Sequence, residues 1–128
     1  MFSSNFRVYY EDTDAGGIVY YANYLKFAER ARTEMLREVG IIQSELIEKE
    51  GIFFVVRRAE INLAKSARLD DLLTVETEII KFGGASIEIF QSILCNAVSL
   101  ADTKILIACV DKNSKPCRIP KNIISALT

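Results

Sequence analysis

The chain has 128 residues, half of them hydrophobic and 26% charged, with a formal net charge of −1 and no histidine. That length fits one domain able to bury a core without metals or disulfides, and the charge balance, with no Lys/Arg run, argues against a nucleic-acid partner. The missing histidine removes Ser-His-Asp and Cys-His catalysis and most zinc sites.

Met1 is followed by polar and strand-like residues, with no basic leader, no apolar signal core and no run able to span a bilayer. Cytoplasmic residence is therefore expected, with membrane association at most peripheral. Cys95, Cys109 and Cys117 form an odd set without CxxC spacing, and the first two fall in apolar strand-like runs. They read as core residues, since a free thiol behaves as a small hydrophobe.

In chain order, residues 5–11 are aromatic and β-branched, the composition of a strand. An acidic turn with two glycines follows. From Tyr20 the apolar period lengthens: Tyr20, Tyr24, Phe27, Ala28, Ala31, Met35 and Val39 share one helical face. Asn23 is the expected N-cap and Gly40 the expected stop. Lys26, Arg30, Glu34 and Arg37 form the solvated face, with Arg30 and Glu34 spaced for an i,i+4 pair. Residues 43–49 predict a short helix ending at Gly51.

The remainder reads as strand. Ile52–Leu63 is the first run, and Leu72–Phe82 alternates as a half-buried strand does. Gly83-Gly84 signals a two-residue hairpin into residues 85–96. Residues 103–111 read as a central strand, Pro116 and Pro120 end the sheet region, and Lys121–Leu127 predict a terminal helix. One long helix followed by long antiparallel strands implies an α+β fold, with a curved sheet wrapped around the helix. An open sheet edge in such a fold favours dimerisation edge to edge.

The junction at residues 11–23 is the chemically informative part. A strand, an acidic glycine turn and a helix start place carboxylates beside unpaired N–H groups at a helix N-terminus. The residues alone leave Asp12 and Asp14 as either turn formers or chemical groups. Gly16 and Gly17 permit positive φ and also close ligand approach.

Tyr10-Glu-Asp-Thr-Asp-Ala-Gly-Gly-Ile-Val-Tyr-Tyr-Ala-Asn-Tyr24 and Glu29-Arg-Ala-Arg-Thr-Glu-Met-Leu36 resemble the hotdog-fold acyl-CoA thioesterases. The nearest group is the YbgC type associated with the Tol–Pal system, with 4-hydroxybenzoyl-CoA thioesterases as relatives. The similarity continues through Ala67-Arg-Leu-Asp-Asp-Leu72, Thr77-Glu-Ile79 and Cys109-Val-Asp111. It implies a single hotdog thioesterase domain over residues 1–128. It also implies hydrolysis of acyl-CoA, with acyl carrier protein thioesters as a further substrate class.

The resemblance assigns Asp14 as nucleophile or general base and the Tyr21 backbone N–H as the group polarising the thioester carbonyl. Tyr10 is either a core aromatic or a residue orienting Asp14, and Gly16 and Gly17 border the ligand. Lys65, Arg68 and Lys81 are the candidate coenzyme A phosphate partners, since the 83–85 loop lacks basic residues. Coenzyme A belongs to the substrate, and no metal or other cofactor is implied. The assembly implied is a homodimer or homotetramer with its pocket between subunits. Tyr21 stands where YbgC-type proteins commonly carry histidine, whereas 4-hydroxybenzoyl-CoA relatives carry tyrosine. That exchange leaves a second reading, a non-catalytic acyl-thioester-binding or scaffold protein.

Overall fold

The computed structural model describes residues 1–128. Its longest helix, α1, runs Asn23–Glu38 and buries Tyr24, Phe27, Ala28, Ala31, Met35 and Leu36, the three- and four-residue spacing of one amphipathic face. Two bonds close its C-terminus, from the Gly40 N–H to the Arg37 carbonyl (2.9 Å) and from the Ile41 N–H to the Leu36 carbonyl (2.8 Å). This is a Schellman arrangement, with Gly40 at the expected stop.

The start of α1 differs from the expectation. Ala22 is the N-cap and no side chain caps the helix. Asn23 lies inside the first turn because its amide reaches back to donate to the Asp12 carbonyl at 2.9 Å. Tyr20 lies before the helix and is exposed. Glu34 pairs with Arg37 rather than Arg30, and the Arg30 guanidinium instead lies 5.8 Å from the centre of the Phe27 ring.

Five strands form one antiparallel sheet: β1 (Phe2–Arg7), β2 (Ile52–Leu63), β3 (Leu72–Phe82), β4 (Ser86–Cys95) and β5 (Val98–Asp111). Their spatial order is β1-β3-β4-β5-β2. The β2 and β3 ranges match the sequence reading. The first strand ends at Arg7, short of the expected Glu11, and Tyr10–Asp12 form a 3-10 turn. The cause is local: the Asp12 carboxylate accepts the Tyr9 N–H at 2.8 Å, curling the chain out of the ladder.

The β4–β5 hairpin also departs from expectation, because β5 begins at Val98 rather than residue 103. Asn96 and Ala97 form a two-residue turn with φ of 50° and 66° between the paired Cys95 and Val98. Both signs fit a type I′ turn, built without the usual glycine. A β3–β4 hairpin forms, but its connection runs over residues 83–85 rather than 83–84, and neither glycine has positive φ. A Cβ on Gly83 would meet the Ser86 hydroxyl, which would have to turn away.

Alternation along the strands turns Leu73, Val75, Thr77, Ile87, Ile89, Gln91 and Ile93 inward, where all are buried. The core has two parts. Val8, Val19, Tyr24, Phe27, Ala67 and Leu73 belong to the first. Met35, Leu36, Ile105, Cys109, Ile123 and Leu127 belong to the second, which is closed by α2 (Gln43–Glu50) and α3 (Lys121–Leu127).

Between the two parts, buried Gln91 donates to the Ala28 carbonyl (2.8 Å) and the Thr77 hydroxyl (3.0 Å), and accepts from Arg32 (3.0 Å). Burial pulls the Arg32 pKa below its ordinary value, with the Glu29 carboxylate acting in the opposite sense. These bonds tie α1 to the middle of the sheet and set where its N-terminus lies. Strand β2 is a long edge and exposes Val55 and Val56. No helix is long and apolar enough to cross a membrane.

Candidate active site at the strand–turn–helix junction

The site is assembled by hydrogen bonds that hold a short loop between the 3-10 turn and α1. The Asp14 N–H donates to the Ile18 carbonyl (2.9 Å) and the Gly17 N–H to the Asp14 carbonyl (3.0 Å), making a tight turn. Gly17 has φ of 78°, a conformation that disfavours a side chain. The turn is then fastened to the segment after β2. The Val19 N–H donates to the Ala67 carbonyl at 2.9 Å, and Ile18 forms a bridge with Arg68.

Two aspartates, two residues apart, receive different environments. Asp12 is buried; its carboxylate is taken by the Tyr9 N–H, and its carbonyl accepts both the Tyr20 N–H (3.0 Å) and the Asn23 amide (2.9 Å). Asp14 is exposed, and its Oδ1 accepts the Gly16 N–H at 2.8 Å. A carboxylate carries two oxygens able to accept. Asp14 therefore keeps a free oxygen on an exposed side chain, while Asp12 is buried where it holds the loop.

The first helical N–H groups complete the arrangement. Asn23, Tyr24 and Leu25 donate to the carbonyls of Tyr20, Tyr21 and Ala22, whereas the Tyr21 and Ala22 N–H groups have no acceptor in the chain. Unpaired donors at the positive end of a 16-residue helix suit a developing oxyanion. A pocket of about 220 Å³ contains Asp14 and Tyr21 together, with Ile18, Tyr24, Leu63 and Lys65 among its walls.

The candidate residues thus separate. Asp14, Tyr21 and Lys65 line one pocket; Gly16 and Gly17 shape the turn that aims Asp14; Arg68 lies at the bridge beside it. Tyr10 is 83% exposed in the 3-10 turn, which removes the first of its two expected readings, a core aromatic, and it lines no wall of this pocket. Lys81 sits nine positions along β3 from Leu72, roughly 30 Å at strand spacing. Leu72 pairs with Arg7 at the site end of the sheet. One chain therefore does not bring Lys81 to Asp14.

Tyr24 is the residue that periodicity hid. It was expected as apolar bulk, and it is buried, but its hydroxyl accepts the Ala67 N–H at 2.9 Å. The available signal was chemical, since a buried tyrosine needs a partner for its oxygen. Ala67 is thereby held from both sides, by Tyr24 of α1 and by Val19 of the turn. Tyr20 packs on the Tyr21 ring at 4.9 Å between centroids. Its phenol is held above the usual value mainly by the Tyr21 hydroxyl and to a smaller extent by Asp14.

Comparison with known proteins shows the family. The family model described as the thioesterase-like superfamily matches residues 8–127. The chain is 47% identical over 126 residues to the acyl-CoA thioesterase YbgC of Haemophilus influenzae, covering 98% of this chain and 93% of that protein. Against the acyl-CoA thioester hydrolase YbgC of Escherichia coli O6:H1 the identity is 46% over 122 residues, covering 93% and 90%. A crystal structure of a probable thioesterase from Bartonella henselae aligns with a TM-score of 0.89 at 42% identity, covering 92% of this chain and 98% of that one. The sheet-wrapped helix, the junction at its N-terminus and these matches lead to one conclusion: the chain belongs to the thioesterase-like superfamily, as a hotdog-fold member related to the YbgC acyl-CoA thioesterases.

Proposed function

We propose that the chain hydrolyses acyl-CoA thioesters to a free acid and coenzyme A, with Asp14 and the Tyr21 backbone N–H as the working groups. The observation that carries this reading is that Asp14, with one carboxylate oxygen free, and Tyr21, with its backbone N–H unpaired, line the same pocket. The thioester carbonyl oxygen lies toward the Tyr21 N–H, and negative charge builds there as the carbon becomes tetrahedral. Removing a donor of this kind costs on the order of 3 kcal/mol in other hydrolases.

Asp14 then acts in one of two ways. Its free oxygen attacks the carbonyl carbon, the C–S bond breaks, and water hydrolyses the resulting mixed anhydride. Alternatively it takes a proton from water as the water oxygen adds to that carbon, and the thiolate leaves and is protonated. Either route works without histidine, because the role given to Tyr21 belongs to its backbone.

Lys65 and Arg68 flank the pocket as the coenzyme A phosphate partners. The reaction draws on no metal or cofactor of the protein's own. The whole of residues 1–128 acts as one thioesterase domain. The open β2 edge supports a homodimer, and a dimer of dimers extends the same logic. Leu63 and the following residues lie at the end of β2 and line the pocket, so pairing at that edge sets the partner beside the site. An acyl carrier protein would deliver the same thioester group and is the second substrate class of this reading.

The test is thiol release from a panel of acyl-CoA and acyl carrier protein thioesters by wild type and Asp14→Asn. Turnover by wild type and its loss in the variant are expected. Undiminished hydrolysis by Asp14→Asn would remove Asp14 from its role. Binding without turnover across the panel would instead support a non-catalytic thioester-binding protein.

A further inference from the structure

Two side chains that the proposed chemistry leaves unused are placed with precision. The sulfur atoms of Cys109 and Cys117 lie 3.4 Å apart. Cys109 is fully buried in β5, while Cys117 is half-buried on the segment that follows. Their backbones are joined as neighbouring strands are: the Cys117 N–H donates to the Cys109 carbonyl at 2.9 Å, and Val110 forms a bridge with Pro116. The pair is thus held by the ladder. Reaching a bonded separation of about 2.05 Å asks for side-chain torsion rather than movement of the chain. Cys95 packs against the first core part instead.

We propose that Cys109 and Cys117 form a thiol oxidation site that a peroxide converts into an intramolecular disulfide, fastening the C-terminal segment to β5. Cys117, the more accessible thiol, attacks hydrogen peroxide; the O–O bond breaks, giving a sulfenic acid and water. The Cys109 sulfur then attacks the Cys117 sulfur. The S–S bond forms, hydroxide leaves, and it carries off the Cys109 proton as a second water. Two thiols are oxidised and one peroxide is reduced to two waters.

Burial, with a further contribution from Cys117, pushes the Cys109 thiol up to about 12. The second step therefore speeds up as pH rises across the neutral to alkaline range, because the thiolate is the attacking form. The consequence is mechanical. Ile119, Ile123 and Leu127, just beyond Cys117, fill the second core part. A covalent link at residue 117 holds that plug in place when the surrounding structure loosens.

The experiment treats the full reduced chain with equimolar hydrogen peroxide, followed by alkylation under denaturing conditions. Free thiols should fall from the three cysteines to one, and the intact mass should fall by about 2 Da through loss of two hydrogens. Trypsin should release residues 105–112 linked to residues 113–118. Dithiothreitol should reverse all three changes. The oxidised chain should melt roughly 5 °C or more above the reduced one. Cys117→Ala should fold and show no such rise, whereas Cys95→Ala should behave as wild type. Links through Cys95, or accumulation of sulfinic acid at Cys117 with Cys109 still free, would overturn the proposal.

Discussion

At the junction end of the sheet, the loop from Tyr9 to Tyr24 is held by a set of hydrogen bonds, and it leaves one Asp14 carboxylate oxygen and two N–H groups unengaged. At the opposite end, α3 and the residues before it seal the sheet with Ile119, Ile123 and Leu127. The backbone there is paired, the Ile119 N–H with the Gly84 carbonyl and the Cys109 N–H with the Ala85 carbonyl. One end keeps unused polar groups on a rigid frame, and the other spends its residues on apolar closure. Removing the unused polar groups at the first end should therefore cost activity, while truncating the packed side chains at the second should cost stability.

The largest expected effect lies at Asp14. Asp14→Asn should lower kcat/KM by roughly 10²–10⁴-fold, with the melting temperature nearly unchanged, since the side chain is exposed and an amide oxygen still accepts the Gly16 N–H. Ile123→Ala at the far end should do the reverse. Deleting that buried side chain should cost about 2–5 kcal/mol in chemical denaturation, with kcat of the folded fraction retained. Equal losses of activity in both variants would erase the distinction between the two ends.

Tyr24→Phe comes next and sharpens the contrast. It leaves the buried Ala67 N–H without an acceptor, which should cost about 1–3 kcal/mol. It should also raise KM or lower kcat, because Ala67 anchors both α1 and the Asp14 turn. Asp12→Ala should cost about 1 kcal/mol by removing the acceptor of the Tyr9 N–H. Its loss of activity should be far smaller than that of Asp14→Asn. Smallest is Ala97→Gly in the β4–β5 turn, expected to stabilise by about 0.5–1 kcal/mol by relieving a left-handed alanine, with hydrolysis untouched. Destabilisation by that change would mean the turn is not strained.

Much of the fold was legible because periodicity reports burial directly. The face of α1, the stop at Gly40 and the β2, β3 and α3 ranges follow from spacing and from residues with one dominant habit. The misreadings share a different cause. Residues 8–11 have strand composition, but the Asp12 carboxylate captures the backbone first. Asn96-Ala97 turns without glycine because two long strands, β4 and β5, impose the register and absorb the strain. Asn23 resembles a cap, yet its amide has a better partner eleven residues back.

The chain order of residues 11–23 by itself determined that a carboxylate-bearing glycine turn would meet a helix N-terminus, since that depends only on local propensities. Which aspartate is free, and which N–H groups stay unpaired, was decided by the tertiary structure. Asp12 is drawn inward by donors at Tyr9, Tyr20 and Asn23. Segment 63–68 arrives from β2 to wall the pocket, and Tyr24 reaches across to hold it. Hydrogen-bond partners dozens of residues apart are set by sheet register and helix placement, and no local pattern encodes them.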